Sequence, residues 1–234
     1  MALLRWYKPS TSFLAWLGLL TSLLLVTVIA VTLSDSRTRH AANIKLNNEL
    51  LRMSALRSEQ FKSRIDALRN DVHFLSRLPP LKGMTRAAFH GGIDPQLQIS
   101  SDVWAQQLNN VYLAYLETNP ALLQIRLISV KDDGKELVRV NKRSGVAKIV
   151  PMDQLQNKAD TLYYREVLKL KPQEIYISPL NLNREYGKVE IPHTPVLRLA
   201  TPVYTPDGQL YAMVVLNYDS KSLLQSIEAR LPSY

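Results

Sequence analysis

The longest apolar run in the chain covers residues 13–33, FLAWLGLLTSLLLVTVIAVTL, and contains no charged side chain. It matches the ~20 residues a helix needs to cross about 30 Å of hydrocarbon. A cleaved signal peptide has a shorter core, roughly 7–15 apolar residues, followed by small residues. Ala30-Val31-Thr32 is a poor cleavage site, so the run predicts an uncleaved transmembrane anchor. Trp6, Tyr7 and Trp16 fall near one end of it, where aromatic rings favour the membrane interface.

The pattern then changes to helical spacing. Residues 34–78 contain neither Pro nor Gly, and Phe61, Ile65, Leu68, Val72 and Leu75 recur at steps of four and three. That stripe lies on one face of a helix, which Pro79-Pro80 should stop. Such a helix is roughly 65 Å long at ~1.5 Å per residue. A module of ~100 residues has a radius of gyration of only ~13 Å and cannot cover it. The nearer half, 34–57, carries a weaker stripe of Leu46, Leu50 and Met53. That stripe calls for a second copy of the chain or a further module.

Residues 82–99, with Gly83, Gly91, Gly92 and Pro95, read as a linking loop. Asp102 is placed to cap a second helix, 103–118, carrying Val103, Leu108, Val111, Tyr112 and Tyr115. Residues 123–130 and 136–141 read as strands joined by Asp132-Asp133-Gly134, and 154–170 as a mostly helical stretch closed by Pro172. Three β-rich runs follow, 175–180, 196–204 and 210–218. The last two are joined by Thr205-Pro206-Asp207-Gly208, where Asp-Gly accepts the positive φ of a tight turn. Ser220 then caps a last helix, 221–231. The order predicts an α+β fold with a mostly antiparallel sheet of about five strands.

Composition adds little until its distribution is read. The chain has 234 residues, 46% apolar and 21% charged, with a formal charge of +9 and no cysteine. Disulfides and thiolate chemistry are excluded. Between residues 34 and 90 there are 11 Lys/Arg against 5 Asp/Glu, so much of the excess lies along the helix that follows the anchor. Solvated helix faces beside anionic headgroups account for it. Without aromatic interleaving, it does not read as a nucleic-acid surface. Arg5 and Lys8 before the anchor nearly tie with Arg37, Arg39 and Lys45 after it, so charge bias leaves the orientation open.

Catalytic and metal signatures are missing. His40, His73, His90 and His193 show no zinc-site spacing, and there is no nucleophile elbow, phosphate loop or dinucleotide fingerprint. Glu185 and Glu190 lie beside Arg184 and Lys188, which reads as ion pairing rather than acid–base chemistry. No cofactor is expected. Strand alternation is more informative. In VLRLATPVY, Val196, Arg198 and Ala200 share one face, and Leu197, Leu199 and Thr201 the other. Arg198, Arg126 and Arg139 are each a charge inside an apolar strand. Each must pair with Glu136, Glu185 or Glu190, or face a polar cavity where a guanidinium can grip an anion.

Several segments in order, QIRLISVKDDGKELVRVN, QLQNKADTLYYREVL, SPLNLNREYG, EIPHTPVLRLATPVY and VVLN, resemble the membrane-distal module of extracytoplasmic double Cache (PAS-like) sensor domains. The likeness covers about residues 122–224 and is closest to sensors of bacterial histidine kinases and diguanylate cyclases. It implies a cytoplasmic tail (1–12), a membrane helix (13–33), a long signalling helix (34–78) and a sensor module outside the inner membrane (79–231). The C-terminal end (232–234) would be truncated before a second module and a second span. It also implies a small-molecule ligand between the sheet and residues 153–164, dimerisation through the long helix, and output by a kinase or cyclase segment that this chain lacks. Thr161-Leu162-Tyr163-Tyr164-Arg165 resembles the Arg-x-Trp-Tyr motif of amino-acid-binding members. Only Tyr164 matches; Thr161 stands at the carboxylate-binding Arg, and Asn217 near the ammonium-binding Asp. The candidate ligand contacts are therefore Arg126, Arg139, Tyr164, Tyr176, Arg198 and Asn217. Alternatives are a membrane-tethered adaptor binding a protein, and a periplasmic enzyme.

Overall fold

A computed structural model describes residues 11–221 of the protein. The N-terminal tail with Trp6 and Tyr7, and the expected last helix beyond Lys221, lie outside the described residues. The chain divides into two units, Met1–Ser58 and Glu59–Tyr234.

Helix α1, Thr11–Leu75, is continuous. Its N-terminal portion is apolar and long enough to cross a membrane. In the first unit Leu46 and Leu50 are about half exposed. In the second unit Leu68, Val72 and Leu75 are buried, as the stripe predicts, with Ile65 packed alongside. Helix α2, Pro79–Ala88, occupies much of the expected loop. Pro79-Pro80 ends α1 but also starts α2, because at the first two positions of a helix Pro loses no hydrogen bond. Gly83, read as a loop signal, instead permits contact: a Cβ there would lie 2.2 Å from the Trp104 ring. Helix α3, Ser101–Thr118, is capped by Ser100 rather than Asp102, the Ser100 hydroxyl accepting from Val103 N. Its buried stripe is Trp104, Leu108, Tyr112 and Leu116, offset from the one expected.

The strands are β1 (Leu122–Ser129), β2 (Glu136–Arg143), β3 (Val146–Ile149), β4 (Tyr176–Ile177), β5 (Asn181–Leu182), β8 (Pro195–Tyr204) and β9 (Leu210–Asp219). They form one seven-stranded sheet in the order β3-β2-β1-β9-β8-β4, with β5 also paired to β8. All pairings are antiparallel. The architecture is the expected α+β, PAS-like one, with two more strands than anticipated. Strands β6 (Arg184–Glu185) and β7 (Lys188–Val189) form a separate small hairpin. Both Asp-Gly turns form, with Gly134 at φ 84° and Gly208 at φ 83°. The stretch 154–170 is mostly not helical. It holds the end of a 3-10 turn, Met152–Gln154, and one short helix, α4 (Leu162–Val167).

Strand periodicity sorts the sheet's two faces. Ile125, Leu127, Val138, Val140, Leu197, Leu199, Val214 and Leu216 pack with α1, α2 and α3 in the main core. A smaller cluster on the other face joins Ile128, Ala200, Met213 and Val215 to Tyr163, Tyr164 and Val167 of α4.

Candidate functional site

The arginines predicted from alternation lie on the sheet face away from the main core. Arg126 on β1 is the direct cross-strand partner of Arg139 on β2, an arrangement of like charges that needs counter-charge. Glu136 and Glu185 supply it. Glu136 Oε1 is 3.1 Å from Arg126 Nε, and its Oε2 is 3.0 Å from Arg139 Nη1. Glu185, from the β6–β7 hairpin, places Oε1 2.8 Å from Arg126 Nη2 and Oε2 3.7 Å from Arg139 Nη1. Gln124 and Gln156 donate to Glu185, and Gln156 N donates to Glu136. Burial raises the Glu185 pKa, but Arg126, the Gln124 hydrogen bond, Lys158 and Arg139 outweigh it and hold the carboxyl at about 2. For Arg126 and Arg139 the salt-bridge reading therefore describes the contacts made.

Arg198 differs. It is 7% exposed, and among the described residues it forms no ion pair with a carboxylate. Its Nη1 donates to Asn181 Oδ1 and its Nη2 to Asn183 Oδ1 at 3.2 Å. Its guanidinium carbon lies 5.9 Å from the Tyr163 ring centroid. Burial and the nearby charge of Arg126 both lower its pKa. A buried guanidinium held only by neutral acceptors keeps most of its charge uncompensated.

Arg198 lines a cavity of about 680 Å³ together with Arg126, Lys158, Tyr163, Tyr176, Ser178 and Asn181. Leu162, Leu182 and Val189 supply apolar wall, while Asp160, Thr161, Arg184 and Gly187 complete the lining. Lys158 is 7% exposed and donates to Gln156 Oε1 at 2.5 Å. Burial, then Arg126, lower its pKa to about 8. The volume lies within the ~300–1,000 Å³ of small-molecule sites.

Of the six candidate contacts, Arg126, Tyr176 and Arg198 line this cavity. Arg139 instead lines a second hollow of about 440 Å³, with Arg143, Lys148 and Glu185. Tyr164 is packed in the smaller cluster and its neighbour Tyr163 lines the cavity. Asn217 sits beneath, donating to Gln124 Oε1 and Asn183 Oδ1. Glu190 pairs with Arg143 rather than with the three strand arginines. Sequence reasoning missed Lys158, Asn183 and Gln124. Gln124 carries a usable signal, being two residues from Arg126 on the same strand face.

The family model of the bacterial histidine kinase sensor domain matches residues 97–230, over half of the chain, and the protein belongs to that family. Two solved structures share the fold. One is a domain of a protein assigned to the sensory box/GGDEF family from Vibrio parahaemolyticus: TM-score 0.62, 20% identity, 75% of this chain and 61% of that chain covered. The other is the extracellular domain of a protein assigned as the histidine kinase vpHK1S-Z8: TM-score 0.61, 21% identity, 75% and 58% covered. This chain thus spans about three fifths of the length of either. The ligand-binding domain of the Campylobacter jejuni chemoreceptor Tlp3, in complex with 4-methylisoleucine, aligns at TM-score 0.46 and 15% identity, covering 72% and 58%. A search of curated proteins gave no match.

Proposed function

We propose that this chain is the extracytoplasmic ligand-sensing part of a membrane-anchored receptor, and that the ligand is a small anionic molecule bound in the 680 Å³ cavity. One observation carries the reading. Arg198 is buried at the cavity wall with no carboxylate partner among the described residues, whereas Arg126 and Arg139 on the same face are neutralised. A guanidinium in that state has unused capacity for an external carboxylate or phosphate. Arg126, Tyr176 and Arg198, with Lys158 and Tyr163, form the contacting set, and Asn217 positions Asn183 beneath Arg198.

The receptor sits in the bacterial inner membrane with α1 as its span, the sensor module outside and two copies associating along Leu46, Leu50 and Met53. Strand β9 supplies the relay. Asn217 belongs to the polar network under the cavity, while the next residue, Tyr218, points to the other face and donates a short hydrogen bond to Asp71 on α1. Tyr115 donates to the other oxygen of Asp71 at 2.6 Å. Ligand-dependent displacement of β9 therefore acts directly on α1.

Thermal-shift screening of the purified chain against organic acids, amines and neutral sugars tests the reading. Acids should raise the melting temperature of the native protein and leave Arg198→Gln unaffected. Stabilisation by amines or sugars, undiminished in that variant, would remove the anion-binding assignment.

A further inference from the structure

The buried charges beside the cavity do not balance. Four cationic side chains, Arg126, Arg139, Lys158 and Arg198, are each no more than 7% exposed, and the carboxylates among them are Glu136 and Glu185, at 0% and 9%. Both carboxylates are engaged by Arg126 and Arg139. Lys158 and Arg198 are left with amide oxygens as acceptors, Gln156 for the first and Asn181 and Asn183 for the second. The group therefore carries an excess of two positive charges in a site sheltered from water. Asp160, the acidic residue in the cavity lining itself, is exposed and forms no ion pair among the described residues. Neither excess charge is remote from the cluster, since the field of Arg126 acts on both Lys158 and Arg198. Uncompensated charges of one sign are costly when desolvated, and an occupant of opposite charge removes that cost.

Resting on the reading that this cavity holds the ligand, we propose that the ligand is a small dianion, with Arg198 and Lys158 as its two anchors. A dicarboxylate or a phosphate monoester supplies the required charge. An α-amino acid is disfavoured, because its ammonium would meet these cations and no buried carboxylate free to receive it. Tyr163, Tyr176 and Leu182 give the ligand body an apolar wall.

Titration calorimetry on the full chain in zwitterionic lipid nanodiscs tests this with matched probes: succinate against butyrate, phthalate against benzoate, and phenyl phosphate. Dianions should bind about tenfold or more tightly than the matched monoanions, as one further charge-assisted hydrogen bond implies. In Lys158→Met that preference should fall to about twofold or less, with residual binding through Arg198. Preference for the dicarboxylates or for phenyl phosphate identifies which dianion is meant, and either supports the proposal. Monoanions binding as well as dianions, with binding still lost in Arg198→Gln, would overturn the dianion and leave the ligand cavity standing. Silence from every probe would overturn both. A second measurement does not depend on ligand shape. Lys158→Met should melt at a higher temperature than the unliganded native protein, because it deletes an uncompensated buried charge, and a lower one would contradict the charge imbalance.

Discussion

The same four long strands present two unlike faces. Toward the helices, β1, β2, β8 and β9 turn Ile125, Leu127, Val138, Val140, Leu197, Leu199, Val214 and Leu216, a dry aliphatic layer. On the other face they turn Gln124, Arg126, Arg139, Arg198 and Asn217, buried and polar, beside a smaller apolar patch of Ile128, Ala200, Met213 and Val215. Strand alternation keeps an aliphatic layer on one side and a polar, charged one on the other, even though the register shifts between Leu122 and Gln124 against β9 and between Leu127 and Ile128 against β2. The two faces also fail differently. Lost aliphatic contacts leave a void, whereas a lost carboxylate leaves charge.

That difference gives the largest expected effect. Glu136 is fully buried between Arg126 and Arg139. Glu136→Ala should cost about 3–5 kcal/mol of unfolding free energy, since it strands two guanidinium groups with one remaining carboxylate. Urea denaturation measures it, and a loss below about 1 kcal/mol would mean that water or rearrangement replaces Glu136 readily. On the helix face, Leu127→Ala should cost about 2–5 kcal/mol through lost burial and a residual cavity. Ligand affinity of the folded Leu127→Ala protein should be unchanged, and a drop in affinity would show the faces to be less separable than the strand geometry implies.

A smaller effect follows from protonating Glu185 rather than removing a side chain. Its pKa is held at about 2, below the ordinary 4.5. A depressed carboxyl pKa contributes stability that is fully present above the unfolded value and is lost as pH falls through the folded one. Melting temperature should therefore decline between about pH 4.5 and 2. Glu185→Gln, already neutral, should lose that part of the decline. An unchanged acid profile in the variant would place the acid-sensitive groups elsewhere.

Much of this division was readable from the chain. Apolar alternation in VLRLATPVY identified which side of β8 Arg198 faces, and the Asp-Gly turns fixed both hairpins because their φ requirements are local. Pairing between arginines and Glu136 or Glu185 could be posed but not decided, because Glu185 lies 59 residues from Arg126 and arrives on a separate hairpin. Residues 154–170 misled for a related reason. Their helix-forming composition is overridden where Gln156 and Lys158 turn into the charged network instead of continuing a helix. The Pro-Pro step reads as a stop, although the chemistry that ends one helix also suits the start of the next.

The smallest expected effect on stability belongs to Arg198→Gln, and it separates the faces most sharply. At the other arginines, substitution would orphan a buried carboxylate. At Arg198 it would orphan only the amide oxygens of Asn181 and Asn183, for which a glutamine amide can substitute as donor. The loss of those charge-assisted bonds and the relief from burying an unpaired cation act in opposite directions, each of order 1–3 kcal/mol. The net change in unfolding free energy should be within about 1 kcal/mol, while anion binding is lost. An Arg126→Gln control should be destabilised by several-fold more, because it leaves Glu136 and Glu185 facing Arg139 alone. If Arg198→Gln instead unfolds the protein as readily as Arg126→Gln does, then Arg198 is a structural arginine like its neighbours. The cavity-facing side of the sheet would then be a polar core rather than a receptor surface.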